Sequence, residues 1–326
     1  MLKIGNVALP GNLVLSPMAG VTDAPFRMIA KQNGADYTIS EMITSDQSLW
    51  NSNKTQWRLQ DQWETTPKII QIAGASPEVV TEAAIKCEQI GAELIEINMG
   101  CPAKKVCNVL AGSALLQNES LVYNILHNTT KAVSIPVMLK TRLGWDHNQK
   151  NILKIAKIAE DANIQSLAIH GRTRSDFYNG NATYDLIAEV KQRLNIPVFA
   201  NGDISTPEMA KYVFDYTKAD GLYIGRAAFG NPWLFTQIKQ YLTTGSYGNS
   251  ITFKHIKNTI IAHLQCIYQH YGDVMGVRIA RKHIKWYWQT LANKFQGFQN
   301  DFVLFSTIDA TEQQMEFVLQ KLGSTY

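Results

Sequence analysis

Residues 137–172 read VMLKTRLGWDHNQKNILKIAKIAEDANIQSLAIHGR. Two short apolar runs, VMLKTR at 137–142 and SLAIHGR at 166–172, enclose NILKIAKIAEDAN at 151–163, whose apolar residues recur at helical spacing. Short runs without clean alternation are how parallel strands buried on both faces look. The stretch is therefore a strand, helix, strand unit.

The pattern extends in both directions. Upstream lie LVLSPMAG at 13–20, YTISEMIT at 37–44, KIIQIAG at 68–74 and LIEINMGCP at 94–102; downstream lie VFANGD at 198–203 and GLYIGR at 221–226. Helical spacing marks PEVVTEAAIKCEQIG at 77–91, ESLVYNILHNTTKAV at 119–133 and YDLIAEVKQRL at 184–194. Ser76-Pro77 and Thr206-Pro207 each place a capping hydroxyl before a first-turn proline, and Gly34 and Gly91 close helices. Eight such units predict an α/β chain folded as a closed TIM (β/α)8 barrel rather than an open doubly wound sheet.

From about Gln240 the character changes. TTGSYGNS at 243–250 reads as a linker, and residues 256–272, 275–292 and 310–323 are helical without further strand signals. A catalytic barrel over 1–242 and a smaller all-α bundle over 243–326 are expected. The 326 residues suit a barrel of about 250 residues plus a small second domain.

With 45% hydrophobic and 18% charged residues, the chain can bury a substantial core. No apolar run approaches the roughly 18 residues of a membrane span, and MLKIGNVALPGN has no signal-peptide pattern. A cytoplasmic monomer with no membrane partner is expected. Cys87, Cys101, Cys107 and Cys266 lack CxxC spacing and read as reduced thiols. No histidine completes a metal site beside Cys101 and Cys107, so no metal is expected. The net charge of +4 is uneven, with eight Lys/Arg against five Asp/Glu in 241–326 and 23 against 22 before it.

In a TIM barrel, functional groups gather at the C-terminal ends of the strands. Those ends carry Ser16 to Gly20, Glu41, Gln71, Asn98 with Cys101, Lys140 with Arg142, His170 with Arg172, Asn201-Gly202-Asp203 and Gly225-Arg226. So many buried polar groups, each costing about 1–3 kcal/mol if unpaired, call for a polar ligand. NGD at 201–203 and GR at 225–226 follow strands seven and eight, where barrels bind phosphate through backbone amides. Lys140, inside an apolar strand, suits either a Schiff base or the negative charge of a reduced flavin, with Gln71 bonding the flavin's pyrimidine portion. Cys101, in a Gly-Cys-Pro turn over the barrel mouth, suits an acid or a nucleophile. Arg278, Arg281, Lys282 and Lys285 share one helical face; the stripe suits a phosphate backbone or a solvated surface.

PMAGVTDAPFR at 17–27, NMGCP at 98–102, VMLKTRLGW at 137–145, IHGRTR at 169–174, NGDI at 201–204 and IGRAAFGNPW at 224–233 together resemble the tRNA dihydrouridine synthases, most closely the bacterial B-type subgroup. The resemblance covers 4–240 in order and spacing, and the C-terminal helices less specifically. It implies FMN at the barrel mouth, with Pro17, Met18 and Ala19 beside the ring, Gln71 and Lys140 on its polar edge and His170 nearby. Asn201, Gly202, Asp203, Gly225 and Arg226 would hold the ribityl and phosphate end. It further implies that Asn98 and Arg142 position a tRNA uridine turned out of its stack. NADPH or NADH would reduce FMN, hydride would reach uracil carbon 6, and the Cys101 thiol would protonate carbon 5. Arg278, Arg281 and Lys285 would contact tRNA phosphates. The rival is a small-molecule FMN oxidoreductase of dihydroorotate dehydrogenase type, which has no need of a basic bundle.

Overall fold

The computed structural model describes residues 2–59, 66–248, 251–293 and 301–323. A two-stranded hairpin, β1 (Lys3–Ile4) and β2 (Val7–Ala8), comes first. Then follow β3 (Leu13–Leu15), α1 (Ala24–Gln32), β4 (Tyr37–Thr38), β5 (Ile43–Thr44), α2 (Asn53–Leu59), β6 (Ile69–Ala73), α3 (Pro77–Gln89) and β7 (Leu94–Met99). After α4 (Lys104–Cys107) and α5 (Glu119–Ala132), strands and helices alternate as β8 (Val137–Arg142), α6 (Ile152–Asp161), β9 (Ser166–His170), α7 (Asp185–Arg193), β10 (Val198–Asn201), α8 (Pro207–Thr217), β11 (Gly221–Ile224) and α9 (Leu234–Thr244).

All pairings from β3 to β11 are parallel, in the order β4-β3-β11-β10-β9-β8-β7-β6-β5. The two ends of that order, β4 and β5, are halves of one predicted strand, 37–44. The sheet closes on itself through the intervening residues, where Ser40 N–H donates to the Ile69 carbonyl at 3.0 Å and Ser40 Oγ accepts from Gln71 N–H at 3.0 Å. Eight barrel positions thus carry nine strands.

Period-two alternation runs through each strand, but both faces are buried. Outward residues such as Ile70, Ile95, Leu139, Ile169 and Ala200 meet the helices, while Ile69, Leu94, Met138, Ala168 and Phe199 fill the lower barrel interior. Ile4 and Leu9, from and beside the hairpin, join that lower core and close the barrel floor, a role the opening residues did not announce. The inward positions one step higher on the same strands are polar: Gln71, Glu96, Lys140, His170 and Asn201. The barrel is therefore dry below and polar above.

The helices form where predicted. In α6, Ile152, Ile155, Ala156 and Ala159 recur at spacings of three and four and form its buried face. Ser76 and Thr206 cap α3 and α8, accepting from Val79 N–H at 3.4 Å and Met209 N–H at 3.1 Å. The expected linker begins later than 243, because α9 runs to Thr244; Asn249 and Ser250 lie outside the described residues.

Beyond it, α10 (Phe253–Ala292) consists of two helices meeting at Gly272, whose φ of 68° and ψ of −174° interrupt the helical backbone. With α11 (Asp301–Thr307) and α12 (Thr311–Gly323) they surround a second core that includes Ile260, Ile267, Ile284, Trp288, Phe305 and Leu322. That core reaches back to Trp233 at the end of the barrel segment. Trp286 stacks on Phe229 with ring centroids 4.5 Å apart, and Gly230, at φ 58°, leaves room: a Cβ there would lie 2.2 Å from the Trp286 backbone. Only glycine permits α10 to approach the barrel so closely. No helix among the described residues is long and apolar enough to cross a membrane.

Candidate functional site

The register decides which polar groups meet. Gln71 lies beside Glu96 on the neighbouring strand, Asn98 beside Lys140, Arg142 beside His170, and His170 beside Asn201, which pairs with Tyr223. All of these residues except Glu96, which lies beneath them, line a cavity of about 910 Å³ at the C-terminal end of the barrel. Ser16, Pro17, Met18, Ala19, Cys101, Gly202, Asp203, Gly225 and Arg226 also belong to its wall; of the strand-end residues singled out from sequence, Gly20, Glu41 and Arg172 do not border it.

The floor of the cavity is a hydrogen-bonded chain. Asn98 Nδ2 donates to Gln71 Oε1 at 2.9 Å, Gln71 Nε2 to Glu96 Oε1 at 2.5 Å, and the Tyr223 hydroxyl to Glu96 Oε2 at 2.8 Å. Lys140 Nζ donates to Asn201 Oδ1 at 3.1 Å, its one hydrogen-bond partner among the described residues, and Asn201 Nδ2 donates to the Tyr223 carbonyl at 2.7 Å. An ammonium carries three donors, so Lys140 retains capacity toward the cavity.

Glu96 was missed in the sequence, although an acid between isoleucines in LIEINM is the same signal that marked Lys140. Burial pushes its carboxyl up to about 7, against the opposing pull of Lys140, Tyr223 and Gln71. Burial likewise lowers Lys140 to about 8, with Glu96 resisting. Because its folded-state value lies above the ordinary 4.5, Glu96 gains proton affinity on folding, and its contribution to stability is lost as pH rises through about 7. Glu96→Gln removes that slope. Urea unfolding near pH 5 and pH 8 is expected to show the stability difference moving in the variant's favour at the higher pH. A difference independent of pH would place the ionisation of Glu96 elsewhere.

The Cys101 turn is held at three points. Asn98 Oδ1 accepts from the N–H groups of Gly100 at 3.0 Å and Cys101 at 2.9 Å, and Ser113 Oγ donates to the Cys101 carbonyl at 2.8 Å. Arg142 Nε donates to the Gly100 carbonyl at 2.8 Å. Burial pushes the Cys101 thiol above its ordinary value, so at neutral pH it is a protonated thiol able to give a proton. Cys107 is buried, with its sulfur 3.6 Å from the Cys101 carbonyl and from Ser113 Oγ, and so supports the turn.

Arg142, expected to meet substrate, also gives both Nη1 protons to the carbonyls of Thr173 and Phe177 at 2.8 Å each. It ties the Cys101 turn to the 173–177 loop and also borders the cavity. His170 lies well below the ordinary imidazole value through burial and the charges of Arg142, Lys140, Arg172 and Arg226, and so is neutral. Tyr178, absent from the expected site, is 53% exposed, with the guanidinium carbons of Arg142 and Arg226 at 5.5 and 4.9 Å from its ring centroid. Loop aromatics carry no periodicity, so only the fold reveals it.

The 201–203 turn differs from expectation in one respect. The Asp203 carboxylate is gripped by the Arg172 fork at 3.0 and 2.6 Å, accepts from Ala182 N–H at 2.8 Å, and also receives Arg226 Nη2 at 3.1 Å. Its carboxylate positions two arginines, which leaves its backbone as the group able to meet a phosphate. Of the helical stripe, Arg278 and Lys285 are exposed, whereas Arg281 Nη2 bonds the Ile308 carbonyl at 3.1 Å and pairs with Asp309. Lys282 turns to the Gly20 carbonyl at the barrel mouth. None of these four lines the cavity.

A family model described as Dihydrouridine synthase (Dus) matches residues 14–322. The tRNA-dihydrouridine synthase B of Pseudomonas syringae pv. tomato is 50% identical over 313 residues, covering 96% of this chain and 92% of that protein. Its namesake in Pseudomonas aeruginosa is 48% identical over 320 residues, covering 98% and 95%. Among solved structures, histamine dehydrogenase from Rhizobium sp. 4-9 gives a TM-score of 0.57 at 12% identity over 82% of this chain and 50% of that one. The old yellow enzyme homologue from Zymomonas mobilis gives 0.52 at 14% over 77% and 93%. At those identities the two structures speak for the barrel fold alone.

Proposed function

Because the chain belongs to the dihydrouridine synthase family, we propose that it reduces uridine in tRNA to 5,6-dihydrouridine, with FMN in the barrel cavity and NAD(P)H as reductant. The observation that carries this reading is the meeting of Cys101, Lys140, Gln71 and Arg226 on one cavity wall. Those groups fit the cofactor: a buried ammonium and a carboxamide for the polar edge of a flat heterocycle, and an arginine with two glycine turns for a phosphate. Gln71, Lys140 and His170 would hold the ring beside Pro17, Met18 and Ala19. Asn201, Gly202, Gly225, Arg226 and the Asp203 backbone would hold the tail. FMN bound there would provide a hydride for uracil carbon 6.

The chain's own residues do the remainder. Gln71, fixed at its Nε2 by Glu96, presents a defined amide orientation, and Asn98 is fixed in turn by Gln71. Cys101 gives its proton to carbon 5. Tyr178 and Arg142 lie at the mouth, where a base turned out of its stack would enter. We assign the barrel, 1–242, to catalysis and the helical unit, 243–326, to tRNA, whose phosphates Arg278 and Lys285 can reach; Arg281, held by Asp309, contributes through that support.

The test is direct. Purified protein is expected to be yellow and to release FMN on denaturation. Given NADPH or NADH, it is expected to form dihydrouridine in tRNA that lacks the modification. A protein that takes up no flavin on reconstitution, or that leaves such tRNA unchanged, overturns the reading.

A further inference from the structure

Away from the cavity, three buried residues from distant parts of the sequence converge where α10 packs on α1. Asp23, His263 and His283 are 3%, 1% and 2% exposed, and each brings one donor atom to a group in which all three atoms lie within 4.8 Å of one another. Asp23 caps α1 just after the Pro17–Gly20 turn that borders the cavity. His263 and His283 come from the two halves of α10 on either side of Gly272.

Their hydrogen bonding leaves the two histidine Nε2 atoms open, while both Asp23 oxygens accept a bond. Asp23 Oδ1 is used in capping, accepting from Phe26 N–H at 3.0 Å, while Oδ2 receives the Tyr271 hydroxyl at 3.1 Å. His263 Nδ1 lies 3.0 Å from the Tyr287 hydroxyl. Among the described residues, neither His263 Nε2 nor His283 Nε2 has a hydrogen-bond partner. His283 Nε2 is 3.9 Å from Asp23 Oδ2, too long for a hydrogen bond. Two buried ring nitrogens facing a carboxylate without bonding it are costly for a purely structural arrangement.

We propose that Asp23, His263 and His283 form a divalent transition-metal site, with Zn²⁺ the ion best suited, that ties the helical unit to the barrel mouth. Two imidazoles and one carboxylate are the ligand set such ions take, and Tyr271 or a water can fill a fourth position. Bonds of about 2.0–2.1 Å hold tetrahedral donors roughly 3.4 Å apart, so separations now within 4.8 Å shorten by about 1.4 Å or less. The Tyr287 hydroxyl accepts from His263 Nδ1–H, which directs the Nε2 lone pair at the ion. Phe26 shields the group, its ring centroid 5.5 Å from each imidazole. Lys282 on α10, whose charge acts on Asp23 and both histidines, donates to the Gly20 carbonyl, and Glu41 accepts from the Gly20 N–H.

The site stands apart from the proposed reaction, and its test reads metal directly. The full chain, prepared without a histidine tag and stripped with a chelator, is titrated with Zn²⁺ in competition with a chromophoric chelator, and its melting temperature is followed. One equivalent is expected to bind and raise the melting temperature. In Asp23→Asn, which retains the capping oxygen, and in His283→Gln, affinity is expected to fall at least tenfold and the melting temperature to stop responding. Failure of the stripped parent chain to take up one equivalent overturns the site, whether or not the variants fold. Unchanged affinity in either folded variant does the same.

Discussion

Cys101→Ala is expected to slow uridine reduction by about 10²–10⁴-fold, the usual contribution of a positioned acid, equivalent to roughly 3–5 kcal/mol of barrel-mouth catalysis. Three features of the turn support so large an effect. The thiol is kept protonated by burial, its backbone is fixed by Asn98 and Ser113, and Arg142 anchors the preceding Gly100. A methyl group occupies the same position without a proton to give. Because the substitution leaves Lys140, Gln71 and the 201–203 and 225–226 turns untouched, FMN content and the rate of flavin reduction by NAD(P)H should match the parent. Single-turnover kinetics with pre-reduced enzyme separates the two steps. Turnover within a factor of three of the parent would remove Cys101 from the proton transfer.

Asp203→Ala is expected to destabilise the barrel by about 3–5 kcal/mol, the cost of leaving a buried charge without its partner. Arg172 is 2% exposed and its fork closes on Asp203, so truncation removes the charge partner of a buried guanidinium and leaves it the carbonyls of Asn179 and Gly180. Asp203 is itself 28% exposed on its side chain, which favours the lower part of that range. Its backbone adds to the cost: at φ 49° it occupies the left-handed region, which Asp and Asn tolerate better than Ala. Asp203→Asn therefore retains the backbone preference and one acceptor, and is expected to lose distinctly less. Urea unfolding of the two variants measures both. A loss below about 1 kcal/mol in Asp203→Ala would show that Arg172 is held by the carbonyls of Asn179 and Gly180 alone.

These two residues show the difference between a motif and its role. NGD at 201–203 correctly marked a turn bordering the cavity, but the acid within it faces arginines, because Arg172 and Arg226 reach the same point from two other strand ends. Arg142 was similarly placed in the wall, yet three of its donors hold backbone carbonyls. The basic stripe on α10 reads from spacing as one face; in the structure Arg281 is bound to Asp309 and Lys282 to the barrel, which leaves Arg278 and Lys285 exposed.

By itself, the sequence determined the barrel class, the capped helices, the all-α character of the C-terminal region and the residues at the strand ends. Each follows from short-range physics: strand and helix periodicity, proline and hydroxyl caps, and polar residues interrupting apolar runs. Tertiary structure alone decided the split of strand 37–44, the hairpin under the barrel floor, the partnership of Glu96 with Gln71 and Tyr223, and the meeting of Asp23 with His263 and His283. Those outcomes depend on barrel register and on the packing of α10 against α1. Both are settled by contacts between residues far apart in the chain, where local spacing carries no information. The Cys101 turn belongs to both categories, since its sequence marks a thiol at a strand end and only the fold buries that thiol and keeps it protonated.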